Sequence, residues 1–331
     1  MIVQTHVVIG GCGFTGSHLI RKLLPTGASI MVIDTGELPK ELAGKVVHHR
    51  VDIRDRAALD GVPLASDAIV YHLAARQFHG DVPKRNQDAW FADVNVRGTA
   101  EVLRWASREQ PPRLIYLSTD MVYGIPDAIP VSTRHPKRPL GPYGRSKAEA
   151  EALCEQARGD GAQVTILRPR MIVGPGRFGI LTRLFRLMDM GLPVPTIGAG
   201  NNRYQMIAVE DVVDAILLAV EKGFPGQAFN LGSGDAPPVR RLLQNTIRRI
   251  GSRSIVVPVP AAPLKWLLGA LDRCGLTLLH REQYRIADLQ YMVDISDSRD
   301  VLGWKPDRND EDMLVDAYNH YREELESASR P

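Results

Sequence analysis

The sequence predicts an α/β fold, a doubly wound parallel sheet carrying helices on both faces. Three observations predict it. Short apolar runs alternate with helical stretches through the first half of the chain, the first run passes straight into a glycine cluster that opens a helix, and an acidic residue closes the second run. Strands buried on both faces lose the alternation of a half-exposed sheet and read as unbroken Val, Ile and Leu. Residues 7–9, 29–33, 68–72, 114–117 and 164–167 have that texture. Between them the spacing predicts helices over 17–24 and 91–108; in the second, Phe91, Val94, Gly98, Val102 and Trp105 recur on one face.

After Pro169 the texture changes. Gly174, Pro175, Gly176, Gly191, Pro193 and Pro195 break the chain into short pieces. A helix is expected over 209–222, a strand over 227–231 and a surface helix over 310–325. The expected organisation is a sheet domain over 1–170 and a smaller, interwoven region over 171–331, with 227–234 returning to the sheet. There is no internal repeat.

Composition narrows the function. The 331 residues carry 41 basic against 38 acidic side chains, a net +3 too small to argue for nucleic acid. A membrane span needs about 20 apolar residues in a row, and no such run exists. The nearest approach, 260–280, is broken by Lys265, Asp272 and Arg273 and reads as an amphipathic core or lid helix. Cys12, Cys154 and Cys274 are scattered, with neither a disulfide framework nor metal-ligand spacing, so no metal is expected. The first apolar run lacks the cationic start and length of a signal peptide, and a cytoplasmic protein is expected.

Gly10-Gly11-Cys12-Gly13-Phe14-Thr15-Gly16 stands between the first strand and the first helix. Glycines there allow a tight turn and bring backbone N–H groups against a pyrophosphate at the helix N-terminus. Asp34 ends the second strand, 21 residues after Gly13, where a carboxylate holds both ribose hydroxyls of NAD and repels a 2′-phosphate. Asp52, in Val-Asp-Ile-Arg-Asp, suits the adenine amino group. His72-Leu73-Ala74-Ala75 closes the fourth strand with small residues that let a cofactor lie on the backbone. His72 by itself reads as a packed histidine.

Tyr143-Gly144-Arg145-Ser146-Lys147 places a phenol and an ammonium four residues apart on one helix face. Neither is a base at neutral pH unaided. A positive charge from Lys147 and the nicotinamide favours the phenolate, giving an acceptor for the proton of an alcohol whose hydride leaves to NAD. Ser118-Thr119-Asp120-Met121 follows a strand, where a hydroxyl can bond the same substrate oxygen.

In these motifs the chain resembles the extended short-chain dehydrogenase/reductases, in their NAD-dependent epimerase/dehydratase group. The glycine turn, Asp34, Asp52, residues 72–75, 95–99 and 118–124, Tyr143 with Lys147, and Arg168-Pro169 stand in that family's order along nearly the whole chain. The resemblance implies a Rossmann fold and a catalytic triad of Thr119, Tyr143 and Lys147, with Lys147 on the nicotinamide ribose. It implies a cofactor site of Gly10, Gly13, Phe14, Thr15, Gly16, Asp34, Asp52, Ile53, Leu73, Ala74, Ala75, Asn95 and Arg168, besides Tyr143 and Lys147. It also implies a homodimer through the helices that follow Asp88 and Tyr143.

Three chemistries compete. A nucleotide-sugar epimerase needs only Tyr143 and NAD for a transient ketone, plus cations for a diphosphate. Arg177, Arg203 and Arg285 are the expected cations, with Arg76, Thr119, Asp120 and Met121 completing the substrate set. A 4,6-dehydratase resembles the chain at 118–120 but carries Glu where Met121 stands, and Met cannot exchange protons. The third is oxidation of a hydrophobic alcohol. The run Arg168-Pro169-Arg170-Met171 lacks the Asn of the sugar enzymes and resembles the 3β-hydroxysteroid dehydrogenase branch, with Leu264, Trp266, Leu267 and Leu271 as an apolar lid. A non-catalytic NAD sensor is disfavoured because both Tyr143 and Lys147 are present.

Overall fold

The computed structural model describes residues 4–78, 82–108, 110–179, 181–274, 276 and 279–328. Its strands are β1 (Thr5–Ile9), β2 (Ser29–Asp34), β3 (Val47–Arg50), β4 (Ile69–His72), β5 (Arg113–Leu117), β6 (Gln163–Pro169), β7 (Met171–Val173), β8 (Val194–Ile197), β9 (Met206–Ala208), β10 (Ala228–Leu231) and β11 (Val256–Val259). Seven of them form one sheet in the order β10-β6-β5-β4-β1-β2-β3, every neighbouring pair parallel. β7 pairs with β9 and β8 with β11 outside it. β10 lies beside β6, so the later part of the chain re-enters the sheet.

The central strands are apolar throughout because helices cover both sides. One core cluster holds Val8, Leu19, Ile20, Val32, Tyr71 and Ile115; the other holds Val7, Ile9, Val70, Val102, Leu114 and Ile166. Neighbours along a strand thus pack to opposite sides, as the period of two requires. β3 was not expected. Its sequence Val-His-His-Arg is polar because it is the sheet's outer edge, where burial stops and apolar periodicity is lost.

The helices are α1 (Phe14–Leu23), α2 (Arg56–Asp60), α3 (Gln87–Ala92), α4 (Thr99–Ala106), α5 (Pro142–Gly159), α6 (Leu181–Asp189), α7 (Val209–Glu221), α8 (Val239–Arg249), α9 (Ala261–Arg273), α10 (Arg281–Ile286), α11 (Ser296–Leu302) and α12 (Asp310–Ala328). α3 and α4 are joined through a π turn, Asp93–Gly98, and together correspond to the single helix expected over 91–108. Gly98 is required there because a Cβ would strike the Ile53 side chain.

α6, α8 and α12 build a third core with Phe185, Leu243, Met313, Tyr318 and Tyr321. On α9 Leu268 is buried, while Trp266 and Leu267 are 72% and 47% exposed. No helix among the described residues is long and apolar enough to cross a membrane.

In the main sheet β2 and β3 extend one way from β1, and β4, β5, β6 and β10 the other. The reversal between β1 and β4 opens a crevice at the carboxyl ends of the strands, the usual ligand position in such sheets.

Candidate active site

The glycine turn sits at that crevice, and its glycines have different duties. Gly10 adopts φ +85°, and a Cβ on it would run into the backbone of Leu73 and Ala74; a Cβ on Gly16 would meet the Gly10 carbonyl. These two let the turn, α1 and the end of β4 close together. Gly13 is different: it caps α1 and lines a cavity of about 670 Å³ shared with Cys12, Phe14, Ser17, His18, Arg21, Arg177 and His320. No acidic side chain stands in the first turn of α1, so its unpaired N–H groups and positive dipole end face the cavity unopposed.

Asp34 accepts hydrogen bonds from the amides of Cys12 and Gly36, each at 2.9 Å. An ionised carboxylate has about four acceptor sites, so it keeps capacity for a diol. The glycine turn, the open cavity and this carboxylate fit a dinucleotide.

Other expected cofactor residues are placed less directly. Asp52 is paired with Arg54 at 2.6 Å, and Arg54 also binds Asp93. The Ile53 side chain is buried against Gly98. Asn95 lies inside the π turn, where its carbonyl accepts the Arg76 amide at 2.8 Å and its amide donates to Ser146 Oγ at 2.9 Å. Ser146 Oγ donates onward to the Tyr143 carbonyl at 2.8 Å. Arg168 is bound within the protein. Its guanidinium is buried in a bidentate pair with Glu151 at 2.7 and 2.9 Å and also donates to Tyr123 and to the Thr133 carbonyl. The bonds to Glu151 tie it to α5.

Tyr143 and Lys147 lie buried on the first turns of α5. Lys147 Nζ donates to the Leu117 carbonyl at 2.8 Å and lies 4.2 Å from the Tyr116 ring centre. Burial pulls its ammonium down to about 7. Burial pushes the Tyr143 phenol above its ordinary range; Arg177 and the Thr119 hydroxyl act against that, while Asp120 and Glu282 reinforce it. The cation acting on the phenol is thus Arg177, where the sequence pointed to Lys147. Phe78 and Phe91 pack edge-on to the Tyr143 ring, with centroids 5.1 and 5.7 Å away.

Of the expected substrate residues, Arg177 is brought to the site, bonded to Gln77 and 5.8 Å from the Phe14 ring centre. Arg203 is committed elsewhere, to Asp235 at 2.9 Å and the Ala236 carbonyl at 2.7 Å. Arg285 is half-buried on α10 and gives its carbonyl to Lys265 Nζ. Arg76 binds Asp93 and the Trp90 carbonyl and lies over the Trp90 ring. Asp120 is buried and ion-paired with Arg170, so its carboxylate is occupied by protein. Met121 stands beside it, half-buried.

Sequence reasoning missed Arg170 and Glu282. Arg170 lies in a segment noted only for lacking Asn. Glu282 accepts the backbone amides of Tyr143 and Gly144 at 3.0 and 3.1 Å from 139 and 138 residues away, a relationship with no local signal. Among the described residues no cluster of His, Cys, Asp or Glu suits a metal ion.

The sequence profile of the NAD dependent epimerase/dehydratase family matches residues 6–232. The chain belongs to that family. It is an enzyme, and NAD is its cofactor. A UDP-glucose 4-epimerase from Vibrio cholerae is 26% identical over 321 residues, covering 91% of this chain and 90% of its own. A dTDP-glucose 4,6-dehydratase from Streptomyces niveus is 29% identical over 341 residues, covering 96% and 92%. Among solved structures, the UDP-glucose 4-epimerase of Thermotoga maritima with UDP-glucose superposes at TM-score 0.78 and 26% identity, over 97% of this chain and 99% of that one. MoeE5, solved with UDP-glucuronic acid and NAD, gives 0.75 and 27%, over 97% and 100%.

Proposed function

We propose that this enzyme is a nucleotide-sugar epimerase acting through a transient 4-keto sugar. The observation that carries the reading is the pairing of a complete Thr119–Tyr143–Lys147 set with a neighbouring position that offers no second proton exchanger. Asp120 is bound by Arg170, and the next residue is Met121. Elimination of water needs an acid and a base beyond the phenol; inversion at a carbinol carbon does not.

NAD, when bound, supplies the hydride acceptor and returns the hydride. The chain's own residues do the rest. Tyr143 accepts the hydroxyl proton and later returns it, and Thr119 holds the same oxygen. Lys147 orients the nicotinamide ribose, and Arg177 adds positive charge that offsets the burial of the phenol. Asp34 selects the 2′-hydroxyl, and Gly13 with the first turn of α1 faces the pyrophosphate. Arg177 and Arg285 supply cations for a diphosphate. Arg203, held by Asp235, is the weaker candidate of the three. The reading includes a homodimer through α3–α4 and α5, which light scattering tests.

The deciding experiment incubates the enzyme with NAD and UDP-, dTDP- or GDP-hexoses and follows the sugar by NMR. A C4 epimer without a 4-keto-6-deoxy product supports the reading, and the deoxy product overturns it. Tyr143→Phe is expected to lower turnover by about 10³-fold while NAD stays bound, within the range of general acid–base contributions. Unchanged activity removes Tyr143 from the chemistry. The aromatic wall of Phe78 and Phe91 beside Tyr143 favours a second reading, oxidation of a hydrophobic alcohol. Thermal stabilisation by hydroxysteroids with nucleotide sugars inert would select it.

A further inference from the structure

The catalytic helix α5 begins with an unusual arrangement. Gly141 is its N-cap and has no side chain to bond the first amides. A Ser, Thr, Asp or Asn at that position ordinarily does so. Here the acceptor comes from another part of the chain. The Glu282 carboxylate, on α10 and 3% exposed, takes the Tyr143 amide on one oxygen and the Gly144 amide on the other. A Cβ at Gly141 would overlap the Glu282 side chain, so the glycine makes room for it. α10 is itself anchored by the His280 amide donating to Gln283 Oε1 at 3.1 Å, and the His280 ring stacks on Phe78, which packs on Tyr143.

We propose that Glu282 is a positioning residue for Tyr143, clamping the first turn of the catalytic helix to the C-terminal region and setting the field at the phenol. The proposal rests on the Tyr143 chemistry above. A buried carboxylate with two short amide bonds fixes the backbone from which the phenol projects. Its negative charge also opposes the positive end of the α5 dipole, which would otherwise favour the phenolate. The charged groups facing Glu282 are Arg145 and Asp88, which are bonded to each other at 2.6 Å. Those facing the phenol are Arg177, Asp120 and Glu282 itself. Glu282 therefore trades basicity of the phenol for its placement, and it makes the C-terminal region part of the catalytic geometry.

The test uses Glu282→Gln, which keeps the volume and removes the charge, and Glu282→Ala, which removes the clamp. The Gln amide can accept only one of the two N–H groups and turns its own donors toward the other. Two readouts need no sugar. Phenol titration by difference absorbance against Tyr143→Phe is expected to move to lower pH by about half a unit or more in Glu282→Gln. Hydrogen exchange at the Tyr143 and Gly144 amides is expected to quicken in both variants. With a nucleotide sugar, kcat is expected to fall about tenfold or more, the loss of one charge-assisted bond, while NAD affinity holds within about twofold. If Glu282→Ala does not fold, Glu282→Gln carries the test alone. An unchanged titration and unchanged amide exchange in a folded Glu282→Gln overturn the proposal. A wild-type enzyme that turns over no nucleotide sugar overturns the epimerase reading instead, and leaves the titration and exchange results to decide Glu282.

Discussion

Asp120 and Arg170 form a buried ion pair, with the Arg170 guanidinium held between the rings of Tyr204 and Tyr291 at 4.3 and 4.2 Å. Asp120 directly follows Thr119, the hydroxyl proposed to hold the substrate oxygen, so this pair anchors the strand end that carries it. The Tyr291 hydroxyl adds a bond to the Asp120 carbonyl at 3.1 Å. The pair thus ties the first half of the chain to residues 204 and 291 of the second.

Breaking such a pair from one side leaves an uncompensated buried charge. Asp120→Ala or Arg170→Met alone is expected to cost about 3–5 kcal/mol in urea unfolding. The double variant is expected to recover a large part of that loss, because no charge is then stranded. Strictly additive losses would show that the two side chains do not act as a unit.

Lys147 predicts a conflict between stability and function. Its folded pKa, about 7, is depressed from 10.5, first by burial. The unfolded chain therefore binds more protons between about pH 7 and 10, and stability from this group rises across that window and is lost as pH falls through 7. Lys147→Met is expected to raise the melting temperature of the NAD-free protein at pH 6–7, with the advantage shrinking toward pH 10, while turnover is lost. The orphaned Leu117 carbonyl subtracts about 1–3 kcal/mol from that gain. A variant less stable than the wild type throughout would mean that the Leu117 bond outweighs desolvation.

Much of this was readable from the residues. The central strands announce themselves because burial on both faces forces apolar runs, and Gly10, Gly16 and Asp34 do so because a tight turn and a strand end restrict residue choice. β3 was silent because an edge strand escapes that restriction. The π turn at Asp93–Gly98 was silent because its spacing departs by only one residue from an ordinary helix. Arg168 and Arg170 flank a proline and look alike in sequence. Only the packing shows that one serves Glu151 and the other Asp120. The Glu282 clamp is long-range by nature, since an N-cap is sought within four residues of a helix start.

Asp34 has a double duty that sharpens its test. Its oxygens brace the Cys12 and Gly36 amides as well as facing the expected ribose. Asp34→Asn is expected to weaken NAD binding by about tenfold and to narrow the preference for NAD over NADP, as measured by titration calorimetry. The brace is partly kept, since the Asn carbonyl still accepts one amide. An unchanged ratio of the two affinities would take Asp34 out of cofactor selection.

Asp310, the first residue of α12, is fully buried, and burial raises its carboxyl to about 7 from 3.8. Ser233, the Met206 amide and Arg170 oppose the shift without cancelling it. Because the folded value lies above the unfolded one, the unfolded chain releases its proton first as pH rises. Stability from Asp310 is complete below about pH 4 and is lost as pH climbs through 7. Three units at about 1.4 kcal/mol each bound the loss near 4 kcal/mol. Asp310→Asn carries no charge, keeps a good residue for a helix start and is expected to escape this loss. It is expected to be more stable than the wild type by a few kcal/mol at pH 8 and indistinguishable from it near pH 4, in urea unfolding at both values. The opposite result at pH 8, with Asp310→Asn the weaker protein, would mean that attraction to Arg170 outweighs burial. Asp310 would then belong with Asp120 in holding that guanidinium.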